Sequence, residues 1–183
     1  MSLGRGLILD RDGVINRDTG FLHRIEECRF MPGIFETVAA FRDLGFRLAI
    51  ATNQSGIGRG LYGPGEFRRL MAWMLARFRE HGLIVDAVYH APEHPDAATP
   101  WRKPGPGMLL QAVADLGLDP AASWAIGDKP GDVAAAEAAG IGHRVLLDPT
   151  ADALRRVERH WIVPSLAEIP PLLDLAQRTV EAS

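Results

Sequence analysis

The sequence predicts an α/β protein built on a Rossmann-like, open and mainly parallel sheet flanked by helices. Three observations carry this expectation. Short apolar runs alternate with stretches whose apolar residues recur at helical spacing, as they do when strands buried on both faces are joined by crossover helices. Asp10, Thr52 and Asp128, all side chains suited to chemistry, stand directly after three of those runs, where open sheets of this kind bind ligands. The length of 183 residues supports one sizeable core, whereas two cores would each be small. Residues 1–183 are therefore expected to form a single domain.

Leu7-Ile8-Leu9 reads as a first buried strand that stops at Asp10. Ile34, Phe35, Val38, Phe41 and Leu44 share one helical face, and Gly45 is placed to end that helix. Arg47 to Ala51 forms a second strand ending at Thr52. After a glycine-rich stretch, Glu66 to His81 carries Phe67, Leu70, Met71, Met74 and Phe78 at helical spacing, with Gly82 beyond. Val85 to His90 is the third strand, and Ala91 to Pro106, with five prolines, is expected to be irregular loop. A helix over Met108 to Leu116 follows, then a strand over Ser123 to Gly127 that reaches Asp128, a helix over Val133 to Ala139, and a fifth strand at Val145 to Leu147. Trp161 to Val163 reads as a sixth strand at the sheet's edge, and Leu166 to Val180 as a closing helix interrupted near Pro170 and Pro171. No internal repeat, linker or low-complexity tract interrupts this order.

Composition narrows the function classes. Lys+Arg total 20 against 23 Asp+Glu, a formal net charge of −3, without the basic excess of a general nucleic-acid binder. Hydrophobic residues at 47% with charged residues at 23% describe an ordinary folded globule rather than a disordered chain. Cys28, the single cysteine, cannot form an internal disulfide or a thiolate zinc cluster by itself, which suits a reducing cytoplasm. The run Leu7 to Leu9 is too short for a signal peptide or a membrane span. No nucleic acid or membrane partner is expected, only a small-molecule substrate met by a monomer. Of the 20 basic residues, only Lys103 and Lys129 are lysine, and both sit in Pro/Gly-rich turns.

Four segments could carry chemistry. Asp10-Arg11-Asp12-Gly13 sets two carboxylates two residues apart at a strand end, where they can converge on one metal or one proton-transfer site; a turn with solvated acids is the plainer alternative. A calcium loop is excluded, because Ile15 and Phe21 occupy the positions where an EF-hand needs glycine and glutamate. Gly127 to Asp132 places Asp128 at a second strand end and Asp132 in the first turn of the next helix. Helix capping accounts for Asp132 better than for Asp128, and carboxylates from two strand ends together suggest a hard divalent cation. Thr52-Asn53-Gln54-Ser55-Gly56 offers hydroxyl, amide and backbone donors of the kind that cradle phosphate, or a plain polar turn. The glycines that follow resemble a dinucleotide loop only weakly, since no helix is expected before Pro64 or Glu66, and neither lysine completes a Walker A loop. Arg102 and Lys103 stand on a proline-stiffened turn; surface charge is the common reading of such pairs, but a phosphoryl group crowded by carboxylates requires a fixed cation.

The order Asp-x-Asp, Thr, Lys-Pro, Gly-Asp-x-x-x-Asp resembles that of the haloacid dehalogenase superfamily of phosphohydrolases. Leu7 to Gly33, Ala51 to Gly60, Arg102 to Leu109 and Ile126 to Ile141 are similar to the branch that removes the C7 phosphate of D-glycero-D-manno-heptose 1,7-bisphosphate on the way to nucleotide-activated heptose for lipopolysaccharide, with a weaker match at Trp161 to Pro170. The resemblance implies a nucleophile at Asp10 that forms an aspartyl phosphate, and an acid and base at Asp12. It implies Mg²⁺ held by Asp10, the backbone carbonyl of Asp12, and Asp128, with Asp132 in support, and Thr52 and Lys103 on the phosphoryl oxygens. Substrate contacts are implied for Asp18, Thr19, Gly20, Phe21, Thr52, Asn53, Gln54, Ser55, Arg102, Lys103 and Lys129.

Members of that branch often carry a zinc loop of Cys, His, Cys and Cys before the Arg-Lys-Pro turn; the matching positions here are Ala91, Glu93, Thr99 and Trp101. His90, His94 and Glu93 are read as surface or packing residues and no zinc is expected; proline stiffness and Trp101 would hold the loop instead. The spacing from Asp10 to Thr52 and from Thr52 to Lys103 accommodates one helix each and no cap domain, so the site should be open and its substrate chosen by rim loops Arg17 to Phe30, Gln54 to Gly63 and Ala91 to Arg102. A histidinol-phosphate phosphatase shares this frame but usually has Asn-Gln-Asp-Gly where Asn53 to Gly56 reads Asn-Gln-Ser-Gly. A phospho-accepting receiver module would need its acceptor aspartate on a middle strand, where this chain has Thr52.

Overall fold

The computed structural model describes residues 3–181. In chain order its elements are β1 (Gly6–Leu9), α1 (Ile34–Asp43), β2 (Arg47–Asn53), α2 (Ser55–Gly58), α3 (Pro64–Glu80), β3 (Ala87–Ala91), α4 (Gly107–Asp115), β4 (Trp124–Gly127), α5 (Pro130–Ala138), β5 (His143–Leu147), β6 (Arg155–Val157), β7 (His160–Val163) and α6 (Ile169–Glu181). All seven strands form one sheet in the order β3-β2-β1-β4-β5-β7-β6. Every neighbouring pair is parallel except β6 with β7.

The strand order explains where a site can form. From β1 the chain winds outward through β2 and β3, then returns to pair β4 on the other side of β1. The crossovers therefore diverge between β1 and β4, and the crevice at that switch point lies beyond their carboxyl ends. Asp10 and Asp128 are the residues that emerge there.

The two faces of the sheet are covered differently. Leu7 and Leu9 join one core with α1, α3 and α6, rich in large side chains such as Phe41, Phe67, Phe78 and Trp124. Ile8 turns to the other face, where Ala49, Ala51, Ala125, Ala135 and Ala136 let α4 and α5 lie close against the sheet. On α3, Leu70, Met74 and Phe78 are completely buried on one stripe, each contributing about 1.5–3 kcal/mol by leaving water. Gly45 ends α1 with φ +80°, as the sequence predicts.

Three expectations need correction. Pro170 and Pro171 do not interrupt α6; they occupy its first turn, where their missing N–H groups have no intrahelical acceptor to lose. Trp161 is not on the sheet's edge, because β6 adds outside β7 through a tight return at Glu158, the one described non-glycine residue with positive φ. That three-residue strand, mostly exposed, is too short to announce itself by alternation. A one-turn helix, α2, forms immediately after Asn53, earlier than the glycine-rich composition suggests. No described helix is long and apolar enough to cross a membrane.

Candidate active site

Lys103 is the centre of the site. Its Nζ lies 2.8 Å from Asp10 Oδ1 and 2.7 Å from Asp132 Oδ1, and donates to the carbonyl of Ala51 at 2.7 Å. Only 7% of the residue is exposed. Burial acts to lower the ammonium's pKa, yet the adjacent carboxylates of Asp10 and Asp132 win and raise it above the ordinary lysine value. The turn that presents it is clamped by Asn53, whose amide donates to the Lys103 carbonyl at 2.9 Å while its oxygen accepts from the Lys103 N–H at 3.1 Å.

Asp10, Asp128 and Asp132 each present an oxygen within 4.8 Å of the others. One lysine does not balance three carboxylates. Burial, then Asp10, pushes the Asp128 carboxyl up to about 7 against the pull of Lys129, and its Oδ1 is buried without a hydrogen-bond partner. Asp132 is raised as well: burial and Asp10 outweigh the lowering effect of Lys103. Such a group has the chemistry to hold a hard divalent cation. Asp132 stands within this group, with both its oxygens engaged, one by Lys103 and the other by the Lys129 N–H at 3.0 Å. Two glycines permit this crowding: a Cβ on Gly13, which has φ +91°, would collide with the Asp128 carboxylate, and one on Gly127 would collide with Asp132.

Asp12 faces elsewhere. Its carboxylate accepts from Arg11 Nε at 3.1 Å and Nη2 at 2.7 Å, from Asn16 Nδ2 at 3.0 Å and from Gln54 Nε2 at 3.0 Å. Its carboxylate does not join the three-carboxylate group. The Gln54 amide also donates to Thr52 Oγ1 at 2.8 Å, and its oxygen accepts from the Tyr62 hydroxyl at 2.6 Å. Arg11, Asn16 and Tyr62 were not identifiable as site residues from sequence. Arg11 is 1% exposed, with a carbonyl acceptor at Leu22 and the Phe67 ring 6.0 Å away.

A cavity of about 230 Å³ opens above this floor. Asp10, Asp12, Lys103 and Asp132 line its base, and all three expected rim loops contribute: Asp18, Gly20 and Phe21; Gln54, Ser55 and Tyr62; and Arg102. Arg102 Nη1 is buried and unpartnered. Lys129, just before α5, reaches in and pairs with Asp18 at 3.0 Å, tying floor to rim; against the effect of burial, Lys129 and the Gly20 N–H hold the Asp18 carboxyl below its usual range. Thr19 and Thr52 are not on the wall, Thr19 being exposed and Thr52 lying behind Gln54. Asn53 lines the cavity, but both ends of its amide are spent on Lys103.

In the loop from Ala91 to Trp101, Glu93 accepts from Thr99 Oγ1 at 2.6 Å and Trp101 Nε1 donates to the His90 carbonyl at 2.9 Å. The His90 ring lies 4.4 Å from that of Phe67, and His94 Nδ1 accepts from the Asp96 N–H at 3.2 Å. These side chains bind the loop to itself and to the core, the packing role expected of them.

A family model of haloacid dehalogenase-like hydrolases matches residues 5–140. The chain is 45% identical over 150 residues to the D-glycero-alpha-D-manno-heptose-1,7-bisphosphate 7-phosphatase of Burkholderia mallei, covering 78% of this chain and 79% of that one. It is 39% identical over 173 residues to the D-glycero-beta-D-manno-heptose-1,7-bisphosphate 7-phosphatase of Yersinia pestis, covering 90% and 92%. Among solved structures, the D,D-heptose 1,7-bisphosphate phosphatase of B. bronchiseptica, complexed with magnesium and phosphate, superimposes with a TM-score of 0.81 at 28% identity over 94% of this chain and 99% of that one. With that family model spanning most of its length and its carboxylates gathered at the switch point of the sheet, the chain belongs to the haloacid dehalogenase-like hydrolases.

Proposed function

We propose that the chain is a Mg²⁺-dependent phosphatase that removes the C7 phosphate of D-glycero-D-manno-heptose 1,7-bisphosphate through an aspartyl phosphate on Asp10, supplying the precursor of nucleotide-activated heptose. Residues 1–183 act as one phosphatase domain, a monomer in the cytoplasm, where the unpaired, buried Cys28 suits a reducing medium. The observation that carries this reading is the Lys103 ammonium buried between Asp10 and Asp132 below a rim that bears Arg102 and Lys129. A bisphosphate needs positive charge at both depths, for the phosphate that reacts and for the one that does not.

Asp10 and Asp128 would hold Mg²⁺ with the Asp12 carbonyl; the unpartnered Asp128 oxygen and its raised carboxyl support a cation there. When bound, the ion withdraws charge from the phosphoryl oxygens and screens the approach of one anion to another. The free oxygen of Asp10 attacks phosphorus while Lys103 holds the other carboxylate oxygen and steadies the phosphoryl group. The bond from phosphorus to the sugar oxygen breaks, and Asp12 gives that oxygen its proton. Asp12 then takes a proton from water, which attacks phosphorus, frees Asp10 and releases inorganic phosphate. To donate or accept, Asp12 must release at least one of its present donors, and Gln54, at 3.0 Å and itself held by Tyr62, is the neutral one nearest the cavity. Thr52 must likewise exchange Gln54 for a phosphoryl oxygen.

Phosphate release from both anomers of the heptose bisphosphate, from histidinol phosphate and from simple sugar phosphates tests this reading. The heptose bisphosphates are expected to give the highest kcat/KM, with activity lost on chelation and restored by Mg²⁺ alone. Preference for histidinol phosphate would replace the substrate, and stoichiometric tightly bound zinc in the purified protein would overturn the zinc-free loop.

A further inference from the structure

At the end of the sheet opposite the carboxylates, a second cavity of about 250 Å³ lies between α6 and strands β4, β5, β7 and β6. Its floor is a ladder of rings and cations running across the strands. Trp124 and His143, register partners on β4 and β5, are stacked at 4.6 Å with planes 11° apart. Trp161 and Arg156, partners on β7 and β6, place a guanidinium 5.7 Å from the indole centroid. Leu172 and Ala176 of α6 supply an apolar wall.

The charge around this space is one-sided. Among the described residues, Arg144, Arg156 and Arg159 line it together with His143 and His160, and no carboxylate does. Arg159 pairs with Glu137, which stands outside the cavity, and Arg144 donates to the carbonyls of Ile141 and Arg159. Arg156 has no carboxylate partner among the described residues. Burial, then Arg144 and Arg156, holds the His143 imidazole below its ordinary pKa, as a locally positive field requires. The chain as a whole is acidic, so an excess of cations here does not follow from its overall charge.

We propose that this cavity binds a small organic phosphate bearing a flat ring, with the chemistry of a nucleoside monophosphate. A guanidinium lying on an indole keeps its in-plane N–H groups free to grip a phosphate by two oxygens. The edge of Trp161, with Leu172 and Ala176, offers the ring an apolar surface. The volume falls just below the roughly 300–1,000 Å³ of drug-sized sites, which suits a mononucleotide and excludes a dinucleotide. The residues belong to the amino ends of β4, β5 and β7, so occupancy does not compete with the catalytic cavity.

Adenosine 5′-monophosphate, adenosine and inorganic phosphate are titrated into the full chain carrying Asp10→Asn, which prevents turnover, with tryptophan emission as the readout. Trp124 and Trp161 line this cavity, whereas Trp101 stands in the loop that ends at the catalytic rim, so the part of the signal lost in an Arg156 variant reports the intended site. Adenosine monophosphate should change the emission saturably, while adenosine and phosphate each bind at least about tenfold more weakly. Arg156→Gln should weaken the nucleotide by at least about tenfold. Arg156 is exposed on an edge strand, so the same substitution in the otherwise native chain should leave phosphatase turnover unchanged and show that the fold is intact. No saturation up to on the order of 10 mM, equal binding by the Arg156 variant, or phosphate binding as tightly as the nucleotide would each overturn the proposal.

Discussion

At the carboxyl ends of β1 and β4 the chain gathers Asp10, Asp128 and Asp132, two of them on Lys103, whereas at the amino ends of β4, β5 and β7 it gathers arginines and histidines with no carboxylate on the wall among the described residues. Both ends concentrate like charge, but they differ in depth. The Lys103 side chain is 5% exposed and that of Arg159 73%. Buried charge is expensive to rearrange and cheap to rely on, because little solvent screens it; exposed charge is the reverse. The acidic end is accordingly built from short contacts clamped by Asn53, Gln54 and close-fitting glycines, while the basic end leaves Arg156 unpaired. Substitutions should therefore have large effects on turnover at the first end and small ones at the second.

The largest effect is expected from Asp10→Asn, which keeps the side chain's shape and removes the attacking charge. Turnover should vanish while circular dichroism stays native; substantial phosphate release by the purified variant would dismiss Asp10 as nucleophile. Lys103→Arg comes next. The Nζ position is enclosed by oxygens of Asp10, Asp132 and Ala51 at 2.7–2.8 Å, so the wider guanidinium must displace one of them, with a loss in kcat on the order of 10²-fold or more. Lys129→Arg, at a side chain 59% exposed and paired only with Asp18 and, at 3.7 Å, Asp128, should cost far less. Steady-state kinetics of the two variants side by side test whether burial ranks them.

Asp12→Asn separates its proton from its place in the network. Single-turnover assays with an aryl phosphate, whose leaving group needs little protonation, should show a smaller first-step defect than those with a sugar phosphate. Equal defects would assign Asp12 to positioning alone.

The smallest effect is on stability. The folded Asp128 carboxyl is raised to about 7 from 3.8, so folding of the metal-free protein takes up a proton between those values. The stability this contributes is fully present below the lower value and lost progressively as pH rises to about 7. Thermal unfolding of metal-free protein should thus show Tm falling across that window, with Mg²⁺ restoring it above pH 7 by binding the ionised form. A flat profile, unchanged by the ion, would mean that the carboxylates are not a cation site.

The position of Asp10 and Asp128 just beyond strand ends was legible because apolar runs mark buried strands and the residue after each run leaves the sheet; Thr52 stands near the end of β2 but still within it. Lys103 was also legible, through its rarity and its proline-stiffened turn. The direction of each side chain was not. Asp12 and Asn53 line the cavity, but the Asp12 carboxylate is held by Arg11 and Gln54, Thr52 accepts from Gln54, and Asn53 holds the Lys103 turn.

What the sequence by itself determined is the alternation of strands and helices, the strand ends that carry acids, and the identity of the cation beside them, because these depend on local periodicity and on residue chemistry. Tertiary structure alone decided that β1 and β4 are neighbours, that Asp132 shares a lysine with Asp10, that Tyr62 fixes the amide beside Asp12, and that Trp124, His143, Trp161 and Arg156 form one surface. Contacts of this second kind join residues of different elements, and they exist only once strand order and register have set which side chains stand on the same face.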